Sequence, residues 1–346
     1  MRSNYFICML ILSQIAFLSP LCSQVSPKPS PIVQERNQFY SKALLEISDM
    51  LEGKTPLSIK RAVYLAEWAY LDGDIDYQSY CNQITKMSDG IRQFMDANKL
   101  HEVPAGGNIA LFEFFTKPFS MNGFVPFSYD FEDCDGKNDY TKLFVTKLLK
   151  THTGQCRSLP LLYKMIADEI GAKAHIAYAP NHMFIRHRDP SGEKWVNVEL
   201  TNGSLARDEF IRESNGISET AIKQGTYLRA CEDREVVVNL LSELAGGYIR
   251  RFGEVHGFVQ QCLGLIFKQD PDNLAGLMLA NNCLCTLLEN VNRTLEPDYT
   301  VSLINQITDI EAKIKATGYV EMSPELYEQW MKSVEQEKQR RKSETE

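Results

Sequence analysis

The chain has no surplus of positive charge, no Cys-x-x-Cys pair at zinc-finger spacing and no apolar run long enough to cross a bilayer comfortably. Each absence removes a class of function. Lys and Arg number 37 against 45 Asp and Glu, a formal charge of −8. A sequence-independent grip on nucleic acid needs a cationic face, so no nucleic-acid partner is expected. The same acidity disfavours residence on anionic lipid, leaving no membrane role beyond an export signal. Metal-ligand spacing is missing as well. Cys283-Leu284-Cys285 has no histidine nearby, and His101, His152, His175 and His187 are scattered. The acidic run Asp130-Phe131-Glu132-Asp133-Cys134-Asp135-Gly136 fails as a calcium loop. With Gly136 sixth, Phe131 would stand first and Lys142 twelfth, where a bidentate glutamate belongs.

At the N-terminus, Arg2 precedes an apolar run from Phe6 to Leu18 broken only by Ser13 and Gln14, and Leu21-Cys22-Ser23 follows. This predicts a signal peptide over 1–23 and an exported protein, periplasmic or secreted. A retained anchor and a lipid-modified Cys22 are the alternatives, though bulky Leu21 fits the second poorly. Export changes the meaning of the nine cysteines. Cys8 and Cys22 leave with the leader, and seven remain. That number is odd, so an oxidising compartment leaves at least one thiol unpaired. It is also too sparse for a disulfide-built scaffold, so most are expected as small buried apolar residues.

Residues 24–34 hold three prolines and two serines, the chemistry of a linker. Helical periodicity then dominates over 35–100, with Phe39, Ala43, Leu44, Ile47 and Leu51 at three- and four-residue steps. A core region over 101–210 follows. It contains a helix over 140–150, then one marked by Leu159, Leu162, Ile166 and Ile170 and stopped by Gly171. Strands are predicted over 174–178, 183–187 and 194–200, with Asp189-Pro190-Ser191-Gly192 as a turn. Helices resume over 211–332. There, Leu244-Ala245-Gly246-Gly247-Tyr248, Gly253 and Pro271 suggest one tetratricopeptide-type unit, although any helical hairpin can look alike. The charged tail over 333–346 is expected to fray.

The core places a cysteine, a histidine and a carboxylate in that order. Cys156 stands in Gly154-Gln155-Cys156-Arg157-Ser158, His182 follows Asn181, and Glu199 closes Trp195-Val196-Asn197-Val198-Glu199. A cysteine in the first turn of a helix feels unpaired N–H groups and the positive end of the dipole, which favour thiolate, and Arg157 adds positive potential. Its backbone N–H is a ready oxyanion donor. If the turn closes symmetrically, His187 faces Lys194, Arg186 faces Trp195 and His182 faces Glu199. A carboxylate then sits beside an imidazole and fixes its tautomer. A buried structural cysteine beside a chemically silent cross-strand pair would give the same pattern, and a single bulge would break the register.

These residues, with the run Trp195-Val196-Asn197-Val198-Glu199-Leu200-Thr201, resemble the transglutaminase-like superfamily and its papain-type thiol core. The resemblance covers about 124–210. Helices on both sides make it most similar to a bacterial branch with a tetratricopeptide-like C-terminal region. It implies an α+β fold in which a nucleophile helix packs on an antiparallel sheet. It also implies Cys156 as nucleophile, His182 as general base and later acid, and Glu199 as orienting carboxylate, with no metal or organic cofactor. The family usually carries aspartate where Glu199 stands, and often proline at Leu200. The expected activity is acyl transfer or amide hydrolysis on a peptide or protein substrate. The alternative is a non-catalytic binding module with a protein partner on the C-terminal helices.

Overall fold

A computed structural model describes residues 31–133, 136–292 and 295–345. The expected leader, the linker as far as residue 30 and Cys134 lie outside them. The architecture is mixed helix and sheet, the α+β class expected. Helices α1 (Pro31–Leu51), α2 (Ile59–Tyr70), α3 (Tyr77–Ala97) and α4 (Gly106–Thr116) come first. The sheet-bearing stretch is β1 (Ser128–Tyr129), α5 (Val145–Thr151), β2 (Thr153–Gly154), α6 (Ser158–Ile170), β3 (His175–Ala179), β4 (His182–Arg188), β5 (Trp195–Glu199) and β6 (Ser204–Ala206). Then follow α7 (Asp208–Ser214), α8 (Glu219–Lys223), α9 (Asp233–Phe252), α10 (Phe258–Gln269), α11 (Leu274–Asn290), α12 (Pro297–Ala316) and α13 (Pro324–Thr345).

Two expectations at the ends need correction. Helix α1 begins at Pro31, inside the stretch expected as linker to residue 34. Proline suits the first helical position, where its missing N–H would have had no partner. The charged tail continues α13 rather than departing from helix. Its charges fall at helical spacing, with Gln339 on Glu335 at 3.1 Å and Arg340 on Glu337 at 2.7 Å.

The chain forms two compact units, one up to Ile75 with Arg234–Thr317, the other Asp76–Asp233 with Gly318–Glu346. In the first, Tyr40 meets the rings of Tyr248, Phe252 and Phe258 edge-on at 5.3, 5.7 and 5.6 Å. Leu277, Ala280 and Leu284 of α11 bury against Leu303 and Ile310 of α12. These residues recur at three, four and seven positions along each helix, so one face of each is apolar. Among the described residues no helix is long and apolar enough to cross a membrane.

The second unit is built around α6, whose residues from Ser158 to Ala167 are all buried. Gly171 ends the helix at φ +76°, as its place in the sequence predicts. Helix α3 packs on it, with the Tyr80 hydroxyl 3.5 Å from the Met165 sulfur. The main sheet has the order β3-β4-β5-β6, antiparallel throughout. A separate pair, β1 with β2, is parallel and only two residues long. It brings Gly154 beside Tyr129 just before α6 begins.

The register of β4 on β5 differs from the symmetric hairpin. Arg188 faces Trp195, His187 faces Val196, Arg186 faces Asn197 and Ile185 faces Val198. The cause lies in the turn. One Asp189 carboxylate oxygen accepts the amides of Glu193 and Lys194, both at 3.1 Å, while the Asp189 amide donates to Lys194 O at 2.9 Å, so residues 190–193 form the loop. The slip is two residues. Side chains alternate with period two, so every residue keeps its expected face.

Gly154 has no room for a side chain. A Cβ there would lie 2.6 Å from Ser158 Oγ and 2.9 Å from Leu148 Cδ1. Gly154→Ala is expected to cost about 1–3 kcal/mol through this overpacking, read as a lowered urea midpoint.

Candidate functional site

Cys156 precedes the assigned start of α6, yet it lies within the helical hydrogen-bond pattern. The Leu159 amide donates to Gln155 O at 3.1 Å, so the ladder opens at Gln155 and Cys156 sits in the opening turn. The Gln155 amide in turn donates to Ser158 Oγ at 3.0 Å, a side-chain return that fixes this turn. The buried Gln155 side chain donates to Asp130 O at 2.8 Å. That residue leads into the acidic loop, and its carboxylate takes Lys147 at 2.6 Å and Lys142 at 3.3 Å. Burial pushes the Asp130 carboxyl up, but Lys147 and the Glu132 amide outweigh it and hold it below the usual range. Part of the acidic run is thus an internal brace beside the cysteine. Arg157, expected to add positive potential near the thiol, is buried and donates to Leu143 O at 2.9 Å.

His182 opens β4 after the Pro180-Asn181 turn. Asn181 takes φ +55°, a conformation asparagine tolerates, with proline before it. The turn lays the Asn181 carbonyl oxygen 4.0 Å from Cys156 Sγ. The imidazole Nε2 lies 2.5 Å from Glu199 Oε2. The Cys156 side chain lies close enough to the same ring to raise its proton affinity. With Nε2 taken by the carboxylate, Nδ1 is the nitrogen left for sulfur. The three residues therefore meet as the order in the sequence predicts, although not through a direct cross-strand pair. With the observed ladder, Glu199 reaches His182 along a diagonal, a longer span than between opposed residues. The extra methylene of glutamate, relative to the aspartate usual in the resembling family, supplies reach along that diagonal.

The electrostatics follow from burial. Glu199 is 5% exposed. Its Oε1 accepts Thr201 Oγ1 at 2.7 Å and the Thr201 amide at 3.2 Å. Burial pushes this carboxyl up, but the His182 charge and the bonds from His182 and Thr201 bring it below its ordinary value. Burial likewise opposes the imidazolium. The Glu199 charge, the Cys156 side chain and the hydrogen bond that Glu199 accepts from the ring overcome it, and His182 is raised to about 10. At neutral pH the ring is thus protonated, an acid beside a thiol.

Two supports carried no assigned role in the sequence reading. Thr201 stands in the sequence as the closing residue of the run that carries the resemblance, two residues beyond the carboxylate. The other support is a buried network. Arg186 Nη2 lies 2.8 Å from Asp208 Oδ2, and Asn197 Nδ2 donates to Asp208 Oδ1 at 2.7 Å and to Ala206 O at 3.2 Å. Arg186 and Asn197 are opposed and share the His182–Glu199 face, so the network pins β4, β5 and β6 in register. Its distant member, Asp208, gives no local signal.

Among the described residues no group of three or more His, Cys, Asp or Glu side chains is placed to hold a metal ion. No family model, curated protein or solved structure matches the chain.

Replacing Glu199 with Gln removes the charge that holds the imidazolium and leaves burial opposing it. His182 in Glu199→Gln is then expected to titrate well below its wild-type value of about 10, followed by NMR of the ring; a value still near that of wild type rejects the coupling. The stability consequence has a definite sign. A raised histidine stabilises fully below about pH 6.5, and the contribution disappears as pH rises to about 10. The lowered Glu199 carboxyl contributes above about pH 4.5 and loses its contribution in acid. The urea-measured stability advantage of wild type over Glu199→Gln should therefore shrink between pH 6.5 and 10.

Proposed function

We propose that this chain is a thiol-dependent acyl-transfer enzyme or amide hydrolase with a papain-type core of the transglutaminase-like kind, acting on peptide amide bonds. The observation that carries the reading is the His182 imidazole set 2.5 Å from the buried Glu199 carboxylate, with the Cys156 side chain of the opening turn of α6 near enough to raise the ring's proton affinity. The first-turn amides of a helix lack intrahelical acceptors, which suits the Cys156 N–H to a developing oxyanion.

The chemistry follows from the protonated ring. The Cys156 sulfur, its proton on His182, attacks the amide carbonyl carbon, forming the C–S bond and an oxyanion. As the oxyanion collapses, the C–N bond breaks and His182 passes its proton to the departing amine, leaving a thioester. The now neutral imidazole takes a proton from water or from an acceptor amine as that nucleophile attacks. The C–S bond then breaks, releasing acid or new amide and restoring the pair. Glu199 holds the ring with one nitrogen towards sulfur and stabilises its positive charge in every protonated stage. An exported location, in the periplasm or outside the cell, would direct this chemistry to peptides or cell-wall peptides; that part rests on the leader sequence alone.

Iodoacetamide labelling of the full chain at pH 6, read by peptide mass spectrometry, tests the reading. Cys156 is expected to react roughly tenfold faster than the half-buried Cys81 and to lose that advantage in His182→Ala. Incubation with an activated acyl ester should add one acyl group to Cys156 of wild type and none to Cys156→Ala. Equal labelling of Cys81 and Cys156 with no acyl adduct would sink the catalytic reading in favour of a binding module.

A further inference from the structure

The sheet-bearing unit holds a second concavity well away from the thiol. A cavity of about 380 Å³ opens at the far end of α6, lined there by Ile170 and Lys173 and by the strand ends at His175, Arg188 and Trp195. Helix α6 has 13 residues, so Cys156 and this cavity are separated by roughly 20 Å. None of Cys156, His182 or Glu199 lines it.

Its wall carries two cations, Lys173 and Arg188, against one carboxylate, Asp189. Lys173 is exposed, and among the described residues neither a hydrogen bond nor an ion pair ties its ammonium group. Arg188 lies over the Trp195 ring at 4.0 Å and gives Nη1 to Glu193 O at 3.0 Å. The guanidinium is thereby held flat with donors to spare. His175 meets the Trp195 edge and turns Nδ1 to Cys231 O at 3.3 Å, leaving Nε2. Asp189 is the one carboxylate residue of the wall, and its oxygens are taken by Ser191 Oγ and the amides of Glu193 and Lys194. His101, also in the wall, is paired with Asp96 at 2.8 Å. Close to the cations, Met95, Leu100 and Ile170 give an apolar side. Gly107 closes the floor on Ala172, where a Cβ would come within 2.8 Å.

We propose that this cavity binds a small organic anion, its carboxylate or phosphoryl head between Lys173 and Arg188 and its apolar part against Met95, Leu100 and Ile170. A rigid guanidinium stacked on an indole suits a planar or tetrahedral oxyanion, and the nearby ammonium adds charge without constraining geometry. The volume suits a ligand the size of citrate or a sugar phosphate. The site is independent of the thiol chemistry and stands whether or not Cys156 is catalytic.

Isothermal titration calorimetry of the full chain with citrate, inorganic phosphate and neutral glucose tests it. Citrate or phosphate is expected to bind with a Kd below about 1 mM while glucose does not. Lys173→Ala, at an exposed position, should weaken binding roughly tenfold, and Arg188→Lys should do likewise. Binding of citrate alone marks a carboxylate ligand, and binding of phosphate marks a phosphoryl one. Protein alkylated at Cys156 should bind as well as untreated protein. No heat with either anion at 10 mM, binding that both variants leave intact, or binding lost on alkylating Cys156 overturns the proposal.

Discussion

A carboxylate taken almost wholly out of water is the constraint on which the sheet-bearing unit turns. An isolated buried carboxylate would take up a proton to escape its desolvation cost. Glu199 stays charged because the His182 ring faces one oxygen and Thr201 donates twice to the other. That arrangement has consequences on both sides. The ring is held with Nε2 to the carboxylate, which leaves Nδ1 unengaged by Glu199, and its proton is retained at neutral pH. Thiol, ring and carboxylate are thus one electrostatic object whose parts cannot be repositioned singly.

Holding that object demands precise strand pairing, because a slip of one residue would turn Glu199 to the opposite face. The sequence shows which face Glu199 takes more clearly than which residue it opposes. Alternation of side chains along Trp195–Glu199 and His182–Arg188 is local and legible. The loop length was not, because it depends on the Asp189 side chain capturing two amides rather than on a standard turn. The error was even in number, so the pair survived it. Glutamate then makes physical sense where the resembling family has aspartate: the contact is diagonal, and the longer side chain spans it.

Helix α6 was legible almost residue by residue, because Leu159, Leu162 and Ile166 repeat at helical spacing and Gly171 supplies the left-handed stop. The pair β1–β2 left no trace in the sequence, since two-residue strands carry no periodicity. The packing of α3 on α6 was equally invisible. Its contacts join residues about 85 positions apart, as in Tyr80 to Met165, and local pattern does not encode such pairings. The inward turn of Asp130 at the head of the acidic run has no local signal in the sequence either. Asp130 is drawn inward by Lys147, which also donates to Thr153 O at 2.8 Å, so the loop clamps the approach to the cysteine.

The polar network behind the pair completes the electrostatic argument. Arg186 stands four residues from His182 on the same strand face, a separation of roughly 13 Å. An unneutralised guanidinium in a buried setting would push the imidazole towards its neutral form. Asp208 prevents this by meeting the Arg186 charge with both carboxylate oxygens, at 3.0 and 2.8 Å. Arg186 is thus met by Asp208 and His182 by Glu199, while Arg188, farther along the same face, lies over the Trp195 ring. Asn197, opposite Arg186, donates to Asp208 at 2.7 Å and so fixes the carboxylate that faces the guanidinium. The raised proton affinity of His182 thus comes from Glu199 and Cys156, while the Arg186–Asp208–Asn197 network holds in register the strands that carry the pair.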